Sequence, residues 1–441
     1  MVSANADCHT TAIPCVDQEA CFGFESASML VRRVLSLVFA LGLALTSAGA
    51  VLARETAPHL TLLVSMDGFR ADYLDRGVTP NLKALADDGA RGSMRPSFPS
   101  LTYPNHYTLV TGKRPDRNGV VGNEMEDVVI GGPKFVMNGP TANDPRWWNQ
   151  AKPFWVSAEQ QGKKSAAMFW PGSETAIDGV RPSHWMKYQH DLPYDARIDQ
   201  VLAWVDSADG PPLAFATLYF DAADTEGHHY GPDSPELTAA LVELDRCIGR
   251  LVEGLKARGR FETTDLIIVA DHGMAPLPAA HRVVLDDLID VSKIHLVAKG
   301  AVTSFSPLPG QAKAVEAAFL KGAPPHMTCW KKGRIPARFH YGRNRRVPAI
   351  VCLSETGWYT TTLEARKKPG KWDGKDGGAH GFDPYDARMR AVFVAHGPSF
   401  RPGVVLPVFD NVDVYPLLAR VTGVKPEKGD GSLRVIGQAL R

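Results

Sequence analysis

The sequence predicts an α/β fold, a sandwich of helices around a largely parallel central sheet. Two observations lead to this prediction. Apolar runs of strand length alternate along the chain with helical segments, which is the pattern of parallel strands joined by crossover helices. The 441 residues are also 44% apolar and 22% charged, so the chain can bury a large core.

The N-terminal residues are expected to lie outside this fold. Residues 29–53 have the pattern of a secretory signal, in which Arg32 and Arg33 precede an apolar run followed by small residues. Residues 1–28 match neither a signal nor a domain, so we expect a non-native extension, with translation starting at Met29. The apolar run is shorter than the roughly 20 residues of a transmembrane helix. We therefore expect an exported protein, periplasmic or secreted, without a stable membrane span; a retained membrane anchor is the alternative.

The elements after the signal follow from local pattern. Residues 59–66 form a continuous apolar run of the kind found in buried parallel strands. A helix is predicted from Thr79-Pro80 to Gly89, because proline is favoured in a first turn and glycine ends a helix. Residues 234–259 repeat leucine and isoleucine at helical spacing, which predicts a helix with one apolar stripe. The remaining predicted strands are short apolar runs: residues 165–170, 213–220, 266–270, 350–353 and 391–395.

Residues 280–375 interrupt the alternation of strands and helices, because they are richer in proline, glycine, lysine and arginine. We expect a smaller insertion there, packed beside the main sheet within one domain of residues 54–441. In an exported chain Cys329 and Cys352 could form a disulfide inside this segment, or both could stay as buried thiols. Cys247 is expected to be buried and free.

Three aspartates follow apolar strand runs closely. Asp67, Asp224 and Asp271 should therefore emerge at the carboxyl edge of the sheet, where ligand sites of open α/β sheets gather. Asp224 and His228 are four residues apart and could reach one ion from a single turn. His272 is adjacent to Asp271, and a further histidine, His380, lies in a glycine-rich segment. Carboxylate and imidazole are ligands that zinc accepts in open catalytic sites.

Thr102 begins a segment, residues 103–111, that is predicted to be a helix ending at Gly112. Free backbone N–H groups at the N-terminal end of this helix, beside Thr102, would favour an oxyanion or a bound phosphate. A threonine hydroxyl is inert as a nucleophile unless it is activated, for example by a metal ion. The combination of Thr102 with the carboxylates and imidazoles points to phosphoryl transfer rather than to a structural metal site.

Each of these residues taken alone has an ordinary structural explanation. Thr102 alone would more often be a helix cap than a nucleophile, and an aspartate after a strand usually starts a turn. The functional interpretation depends on the coincidence of seven positions in matching local context. His229 is not expected to be a ligand, because adjacent side chains cannot easily share one ion. His106, His184 and His396 have no comparable spacing argument.

The formal net charge of +1 argues against a nucleic-acid-binding module, because such modules carry a basic patch or stripe. No run of lysine and arginine offers one. The expected partner is therefore a small molecule and not a nucleic acid. The sequence does not indicate an oligomeric state.

The segments SMDGFR, PSLTYPNH, DTEGHHYGPDS, ADHGM and GAHGFDP resemble those of the nucleotide pyrophosphatase/phosphodiesterase family, a branch of the alkaline phosphatase superfamily. The resemblance runs from about residue 60 to the C-terminus, with every motif in order. It implies an alkaline-phosphatase-like sandwich with a small inserted subdomain. It also implies two Zn²⁺ per chain, with one ion held by Asp67, Thr102, Asp271 and His272 and the other by Asp224, His228 and His380.

Three further residues are assigned by the same resemblance. Asn123 would donate its side-chain amide to a phosphate oxygen. Tyr103 and, by a weaker match, Tyr188 would hold a nucleotide base between their rings. Tyr103 stands where many members of the family have phenylalanine, which leaves stacking intact.

The function implied is hydrolysis of nucleotide phosphodiester or pyrophosphate bonds through a phosphothreonine at Thr102. Two alternatives within the superfamily remain open, namely a phosphodiesterase for phospholipid headgroups and a phosphate monoesterase. A monoesterase would need additional cations near the metals, and the matched motifs contain no such pair. A non-catalytic zinc-binding protein is the alternative from another class, and it has no use for Thr102.

Overall fold

The computed structural model describes residues 57–367 and 375–441. The predicted extension, residues 1–28, and the predicted signal, residues 29–53, lie outside the described residues. In the described part of the chain, no helix combines the length and the apolar character needed to cross a bilayer.

The strands of the two larger sheets are numbered in chain order. They are β1 Leu60–Met66, β2 Ala90–Arg95, β3 Lys164–Met168, β4 His184–Trp185, β5 Leu213–Phe220, β6 Thr264–Val269, β7 Ile294–Ala298, β8 Val302–Pro307, β9 Met327–Lys331, β10 Ile350–Ser354, β11 Ala391–His396, β12 Val404–Val405 and β13 Phe409–Asp410. Three short pairs complete the strands: Glu124–Met125 with Phe135–Val136, Ala275–Leu277 with Gly377–Ala379, and Arg282–Val284 with Tyr359–Thr361.

The α-helices are numbered in the same way. They are α1 Pro80–Asp87, α2 Thr102–Thr111, α3 Pro115–Asn118, α4 Phe154–Gln160, α5 Tyr194–Val205, α6 Ala222–Tyr230, α7 Pro235–Ala257, α8 Ala312–Glu316, α9 Leu363–Lys367 and α10 Val414–Thr422. Helix α7 packs against α1, α5 and α6, whereas α2 packs against α4 and α10. These two groups of helices flank the central sheet.

The central sheet has the strand order β12-β2-β11-β6-β1-β5-β3-β4, and β13 also pairs with β2. Its middle is parallel, because β1 pairs in parallel with both β5 and β6. Strand β11 runs antiparallel to both of its neighbours, β2 and β6. The predicted fold class, an α/β sandwich with a largely parallel sheet, is confirmed, with β11 as the strand that runs the other way.

The buried pattern of the strands explains the parallel middle. All seven residues of β1 and all six of β6 are buried, because helices cover both faces of the sheet. The predicted strand at residues 213–220 matches β5 without a shift, and the predicted helix at 234–259 contains α7. The leucine and isoleucine stripe of α7 is buried, as its spacing predicts.

A second sheet with the order β7-β8-β10-β9 is antiparallel throughout. It lies within residues 280–375, the segment predicted as an insertion, and it includes the strand predicted at 350–353. It has its own buried cluster, which contains Phe305, Phe319 and Ile350. Cys329 and Cys352 face each other across β9 and β10 and form a disulfide, the first of the two sequence alternatives. Cys247 is buried and free, as predicted.

Asp245 is a buried acid in the middle of α7, and it holds the first turn of α1. Its carboxylate accepts hydrogen bonds from the backbone N–H of Asn81 at 3.1 Å and from that of Leu82 at 2.8 Å. Helix α1 has no side-chain cap of its own, because Thr79 makes no capping hydrogen bond. An acid from another helix therefore satisfies N–H groups that the first turn leaves unpaired.

We expect Asp245→Ala to lower the free energy of unfolding by about 1–3 kcal/mol, because the buried N–H of Leu82 would lose its acceptor. Glu253→Ala is the matched control, since Glu253 is an exposed acid on the same helix that pairs with Lys256. The control should change stability by less than about 0.5 kcal/mol. Denaturant unfolding measures both values, and equal effects of the two variants would contradict the capping role.

Candidate functional site

The acidic residues predicted at strand ends meet at one edge of the central sheet. Asp67 follows β1, Asp224 lies in the first turn of α6 after β5, and Asp271 lies two residues beyond β6. Because β1 lies between β5 and β6 and all three strands are parallel, their carboxyl ends come together. Strand order therefore gathers residues that are more than two hundred positions apart.

Asp67, Asp271 and His272 form the first of two clusters, with ligand atoms that all lie within 4.8 Å of one another. The Nε2 atom of His272 lies 2.9 Å from Asp271 Oδ2 and 3.5 Å from Asp67 Oδ1. Thr102 Oγ1 is 3.3 Å from the same Nε2 atom. The first cluster thus faces the hydroxyl predicted to be the nucleophile.

Asp224, His228 and His380 form the second cluster, which meets the same distance limit. Asp224 Oδ1 lies 3.3 Å from His228 Nε2 and 3.6 Å from His380 Nε2. His380 follows the short strand Gly377–Ala379, which pairs with Ala275–Leu277 shortly after His272. The rings of His272 and His380 consequently stack at 3.5 Å between centroids, so the clusters adjoin.

The three histidines of the clusters are oriented in the same way. Each Nδ1 atom lies 2.9 or 3.0 Å from a backbone carbonyl oxygen, belonging to Gly378 for His228, Gly273 for His272 and Ser100 for His380. A carbonyl can only accept, so each Nδ1 carries the proton and each Nε2 presents a lone pair to its cluster. Metal-binding histidines in proteins have this arrangement.

One oxygen of each aspartate is buried and has no hydrogen-bond partner: Asp67 Oδ1, Asp224 Oδ1 and Asp271 Oδ2. These are also the oxygens that face the histidine Nε2 atoms. A buried carboxylate oxygen is costly without a partner, and a lone pair on Nε2 cannot supply one. Two divalent cations fit these donors, and the mixture of imidazole and carboxylate suits zinc.

The pKa shifts of Asp67 and His380 also favour a bound cation. Burial, together with the neighbouring charges of Asp271 and Asp224, raises the pKa of Asp67 well above its ordinary value. Burial, together with His272 and His228, lowers the pKa of His380 well below its ordinary value. A bound cation would relieve the repulsion among the carboxylates and favours the neutral imidazole that a ligand requires.

Gly68 allows the two clusters to approach each other. Its φ is +69°, in the left-handed region, and a Cβ atom there would lie 2.8 Å from the Cα of Asp224. Its N–H donates to Asp271 Oδ1 at 3.2 Å. Any larger residue would push α6 away from the end of β1, so a glycine is required between the clusters.

The helix end at Thr102 differs from the sequence expectation in one respect. Helix α2 does begin at Thr102, but the N–H of Tyr103 donates to Asn123 Oδ1 at 3.0 Å, and Pro104 has no N–H. Among the described residues, the N–H of Thr102 is the one in the first turn without a partner. Because Oδ1 of Asn123 is engaged, its Nδ2 remains as the donor of the side-chain amide.

His106 lies beside the first cluster, although its sequence spacing was not expected to place it in the site. Its Nδ1 is 3.0 Å from the carbonyl oxygen of Thr102 and 3.4 Å from Asp271 Oδ2, and its Nε2 is 2.8 Å from Ser65 Oγ. Burial lowers its pKa, so it is a neutral hydrogen-bonding residue. Its position four residues after Thr102 places it on the same helix face, and that spacing was the available signal.

A cavity of about 470 Å³, called the aromatic cavity below, opens beside Asp67, Thr102 and Asp224. Tyr103 and Tyr188 both line it, together with Phe169, Trp170 and Tyr219, which the sequence analysis did not single out. The hydroxyl of Tyr219 also donates to Asp67 Oδ2 at 2.7 Å.

The two predicted tyrosines are held differently. The ring of Tyr188 packs edge-on against Phe169 at 5.3 Å, and its hydroxyl is near His190. The hydroxyl of Tyr103 donates to Asn138 Oδ1 at 2.8 Å. The cavity thus combines aromatic walls with a polar end at the clusters, as a nucleotide site requires.

Comparison with known proteins agrees with this chemistry. A family model described as type I phosphodiesterase/nucleotide pyrophosphatase matches residues 61–383. The bis(5'-adenosyl)-triphosphatase ENPP4 of Bos taurus is 36% identical over 381 residues, which cover 86% of this chain and 81% of the relative. An uncharacterized pyrophosphatase/phosphodiesterase of Schizosaccharomyces pombe is 35% identical over 382 residues, covering 84% of this chain and 78% of the relative.

Solved structures give the same result. Human ectonucleotide pyrophosphatase/phosphodiesterase 5 superposes with a TM-score of 0.81 at 32% identity, covering 87% of this chain and 100% of that chain. An inactive threonine-to-alanine variant of the murine protein, in complex with AMP, has the same TM-score and coverage at 31% identity.

We expect the purified protein to contain two divalent metal ions per chain by elemental analysis. His228→Ala or His380→Ala should release one ion, and Asp271→Ala or His272→Ala the other, because each change removes a donor from only one cluster. His295→Ala is the control, since His295 is exposed, bonds to Glu126 and belongs to neither cluster. One ion per chain in a fully active protein would refute the two-metal assignment.

Proposed function

We propose that this chain, which belongs to the type I phosphodiesterase/nucleotide pyrophosphatase family, hydrolyses nucleotide phosphodiester or pyrophosphate bonds with two zinc ions and a phosphothreonine intermediate. The family membership makes it a hydrolase. The main support for the two-metal part of the proposal is a set of three carboxylate oxygens that have no hydrogen-bond partner. These oxygens face the Nε2 lone pairs of three histidines. The proposed ligands are Asp67, Thr102, Asp271 and His272 for one ion, and Asp224, His228 and His380 for the other.

In the proposed reaction Thr102 Oγ1 attacks phosphorus in line with the leaving oxygen. The bond from phosphorus to Oγ1 forms as the bond to the leaving group breaks, and the leaving alcohol or phosphate takes up a proton. Water then attacks the phosphothreonine on the vacated side, which restores the Thr102 hydroxyl and releases the phosphate product. When bound, the zinc ions supply Lewis-acid stabilisation of the attacking and leaving oxygens.

The protein's own groups serve mainly to position the substrate, which is what phosphoryl transfer demands. His272 Nε2 lies next to Thr102 Oγ1, and His106 Nδ1 forms a hydrogen bond with the backbone carbonyl oxygen of Thr102. Asn123 Nδ2 and the N–H of Thr102 are the donors available for the non-bridging phosphate oxygens. The aromatic cavity, with Tyr103 and Tyr188, would take the base of the nucleotide.

The substrate class follows from the cavity and from the relatives. One relative is named for hydrolysis of a bis(5'-adenosyl) triphosphate, and a structural neighbour binds AMP. A monoesterase would need extra cations against the clusters, and in the described part of the chain the ion pairs of Asp67, Asp224 and Asp271 are with histidines and not with lysine or arginine. The nucleotide diester is therefore preferred over the dianionic monoester.

We also propose that the protein is exported. The secretory pattern of residues 29–53 is the sequence basis for this. The disulfide between Cys329 and Cys352 supports it, because such bonds form and persist in oxidising compartments.

We expect Thr102→Ala to lower the turnover of a nucleoside p-nitrophenyl phosphate by at least about 10³-fold while two metal ions stay bound, because the nucleophile is lost and six ligands remain. Thr102→Ser should keep measurable activity, since the hydroxyl survives. Thr108→Ser makes the same chemical change elsewhere in α2 and should have little effect. Mass spectrometry after acid quench should find phosphate on residue 102, and near wild-type turnover of the alanine variant would refute the covalent mechanism.

We expect Tyr188→Ala to weaken the kcat/KM of a nucleoside ester by about 1–3 kcal/mol, the range for loss of one stacked base. Bis-p-nitrophenyl phosphate, which has no base, should be affected far less. Tyr103→Phe keeps the ring and loses only the hydrogen bond to Asn138, so it should retain most activity. Equal losses of Tyr188→Ala on both substrates would remove the base clamp, and lysophosphatidylcholine hydrolysis would then favour the phospholipid alternative.

A further inference from the structure

Among the described residues, the two large apolar side chains with the greatest exposure are neighbours: Val128 is 90% exposed and Val129 is 72% exposed. Both lie in the loop that joins the short strands Glu124–Met125 and Phe135–Val136. We call residues 127–132, the end of this hairpin, the valine tip. Single exposed apolar residues are common on proteins, whereas adjacent ones at the end of a hairpin indicate a surface that meets an apolar environment.

The valine tip has a defined backbone shape. Asp127 Oδ1 accepts a hydrogen bond from the N–H of Val129 at 2.9 Å. The carboxylate of Asp127 is held in turn by Arg345 at 2.8 Å and by Arg346 at 2.7 Å. The residue after the two valines, Ile130, packs against the main core. The two valine side chains are therefore presented outward by a loop that is anchored on both sides.

The arginines that hold the valine tip belong to a strongly basic stretch of the chain. Residues 331–346, called the basic segment below, contain seven lysines and arginines and no acid. Other residues separate most of these cations in the sequence, and the fold gathers them. The N–H of Gly333 donates to the carbonyl oxygen of Gly342 at 3.1 Å, and Lys332 Nζ donates to that of Arg345 at 3.2 Å. The two ends of the basic segment thus lie together beside the valine tip.

Two arginines of the basic segment keep their charge unpaired. Arg334 and Arg343 are exposed, and their guanidinium groups form no ion pair or hydrogen bond within residues 57–367 and 375–441. Each directly follows one of the two glycines that are hydrogen-bonded to each other, so both arginines lie within one small region of the basic segment. The surface beside the valine tip therefore carries positive charge with which no acid of the described residues pairs.

We propose that the valine tip and the basic segment together bind the surface of a membrane that contains anionic lipid. Val128 and Val129 enter the boundary between headgroups and acyl chains, while Arg334 and Arg343 contact the phosphates of anionic headgroups. A soluble polyanion would use only the arginines and leave the valines in water, and a purely apolar partner would leave the arginines unpaired. An anionic bilayer surface matches both. The binding is peripheral and reversible, and it does not depend on the proposed function.

The proposed surface adjoins the candidate site. The hairpin that carries the valine tip begins just after Asn123, whose side chain bonds to the N–H of Tyr103 beside Thr102. The hairpin ends just before Met137 and Asn138, which line the aromatic cavity. Membrane binding through the valine tip thus holds the candidate site within the length of one short hairpin from the lipid surface.

Vesicle binding measures the contribution of the charge. A chain that starts at Ala57 is used, because the unit from there to the C-terminus is compact and the apolar run of the predicted signal would itself bind lipid. The vesicles consist of phosphatidylcholine with or without phosphatidylglycerol as the anionic lipid. Arg334→Gln combined with Arg343→Gln should weaken binding to the anionic vesicles about fivefold per arginine. Arg420→Gln combined with Lys425→Gln removes two exposed cations outside the basic segment and should leave the binding unchanged.

A second pair of variants measures the apolar contribution. Val128→Ser combined with Val129→Ser should weaken binding to the anionic vesicles at least about fivefold, because two apolar side chains no longer leave water. Val405→Ser is the matched control, since Val405 is 68% exposed on a different part of the chain.

A fluorescent label reports whether the valine tip enters the lipid. A polarity-sensitive fluorophore on Val128→Cys should shift to shorter wavelength on the anionic vesicles, whereas the same label on Val405→Cys should not. The cysteines of the tested chain do not compete for the label, because Cys247 is buried and Cys329 and Cys352 form a disulfide.

Either of two results would overturn the inference: equal binding of the wild type to vesicles with and without phosphatidylglycerol, or equal binding by the tip, segment and control variants. Binding to heparin without binding to vesicles would overturn it too, in favour of a soluble polyanion. Raised salt should weaken wild-type binding, because the arginines are exposed. Hydrolysis of a nucleoside p-nitrophenyl phosphate in solution should be the same in all of these variants, so failure of the membrane proposal would leave the proposed function untouched.

Discussion

The arrangement of the site depends on the repulsion among three neighbouring carboxylates, two of them buried and one partly buried, and on how that repulsion is balanced. Asp67, Asp224 and Asp271 are brought together by neighbouring parallel strands, and each keeps one oxygen without a hydrogen bond. Like charges at this spacing inside a protein are unfavourable unless a cation or a proton intervenes. In the neutral histidines the backbone carbonyls hold the proton on Nδ1, so each Nε2 presents a lone pair to its cluster. The backbone thereby favours metal binding at these two candidate clusters.

The close approach of the two clusters explains other features of the fold. Gly68 must lack a side chain so that the first turn of α6 can lie against the end of β1. The short strand Gly377–Ala379 must pair with Ala275–Leu277 so that His380 can stack on His272. The side chain of Asn123 accepts a hydrogen bond from the N–H of Tyr103, the residue after Thr102, and its amide group remains available as a donor. Each contact is local, and together they fix one geometry for residues drawn from most of the chain.

Much of the fold and of the candidate site could be predicted from the sequence, because the site residues lie in short motifs next to recognisable strands and helices. Each of the three clustered aspartates lies close to the end of an apolar run, and such a run indicates a strand that ends near the aspartate. Thr102 begins a segment of clear helical pattern, and Asn123 was assigned by the family resemblance. The direction of β11 could not be predicted, because an apolar run has the same composition in either orientation. His106 lies four residues after Thr102, and only its contacts with Ser65 and Asp271 come from across the fold. Tyr219 was not predicted because its contact with Asp67 joins two strands. Asp245 was not predicted because it lies beside the apolar stripe of α7.

The late position of β11 in the chain affects when the central sheet can be completed during synthesis. It fills the space between β2 and β6, yet it comes from residues Ala391–His396, near the end of the chain. Until the ribosome has released that segment, β6 presents an unpaired edge on one side, and unpaired apolar edges pair readily with other chains. The second cluster is also incomplete until His380 has emerged. Nascent chains therefore pass through an interval in which the central sheet has an open edge and the second cluster lacks His380.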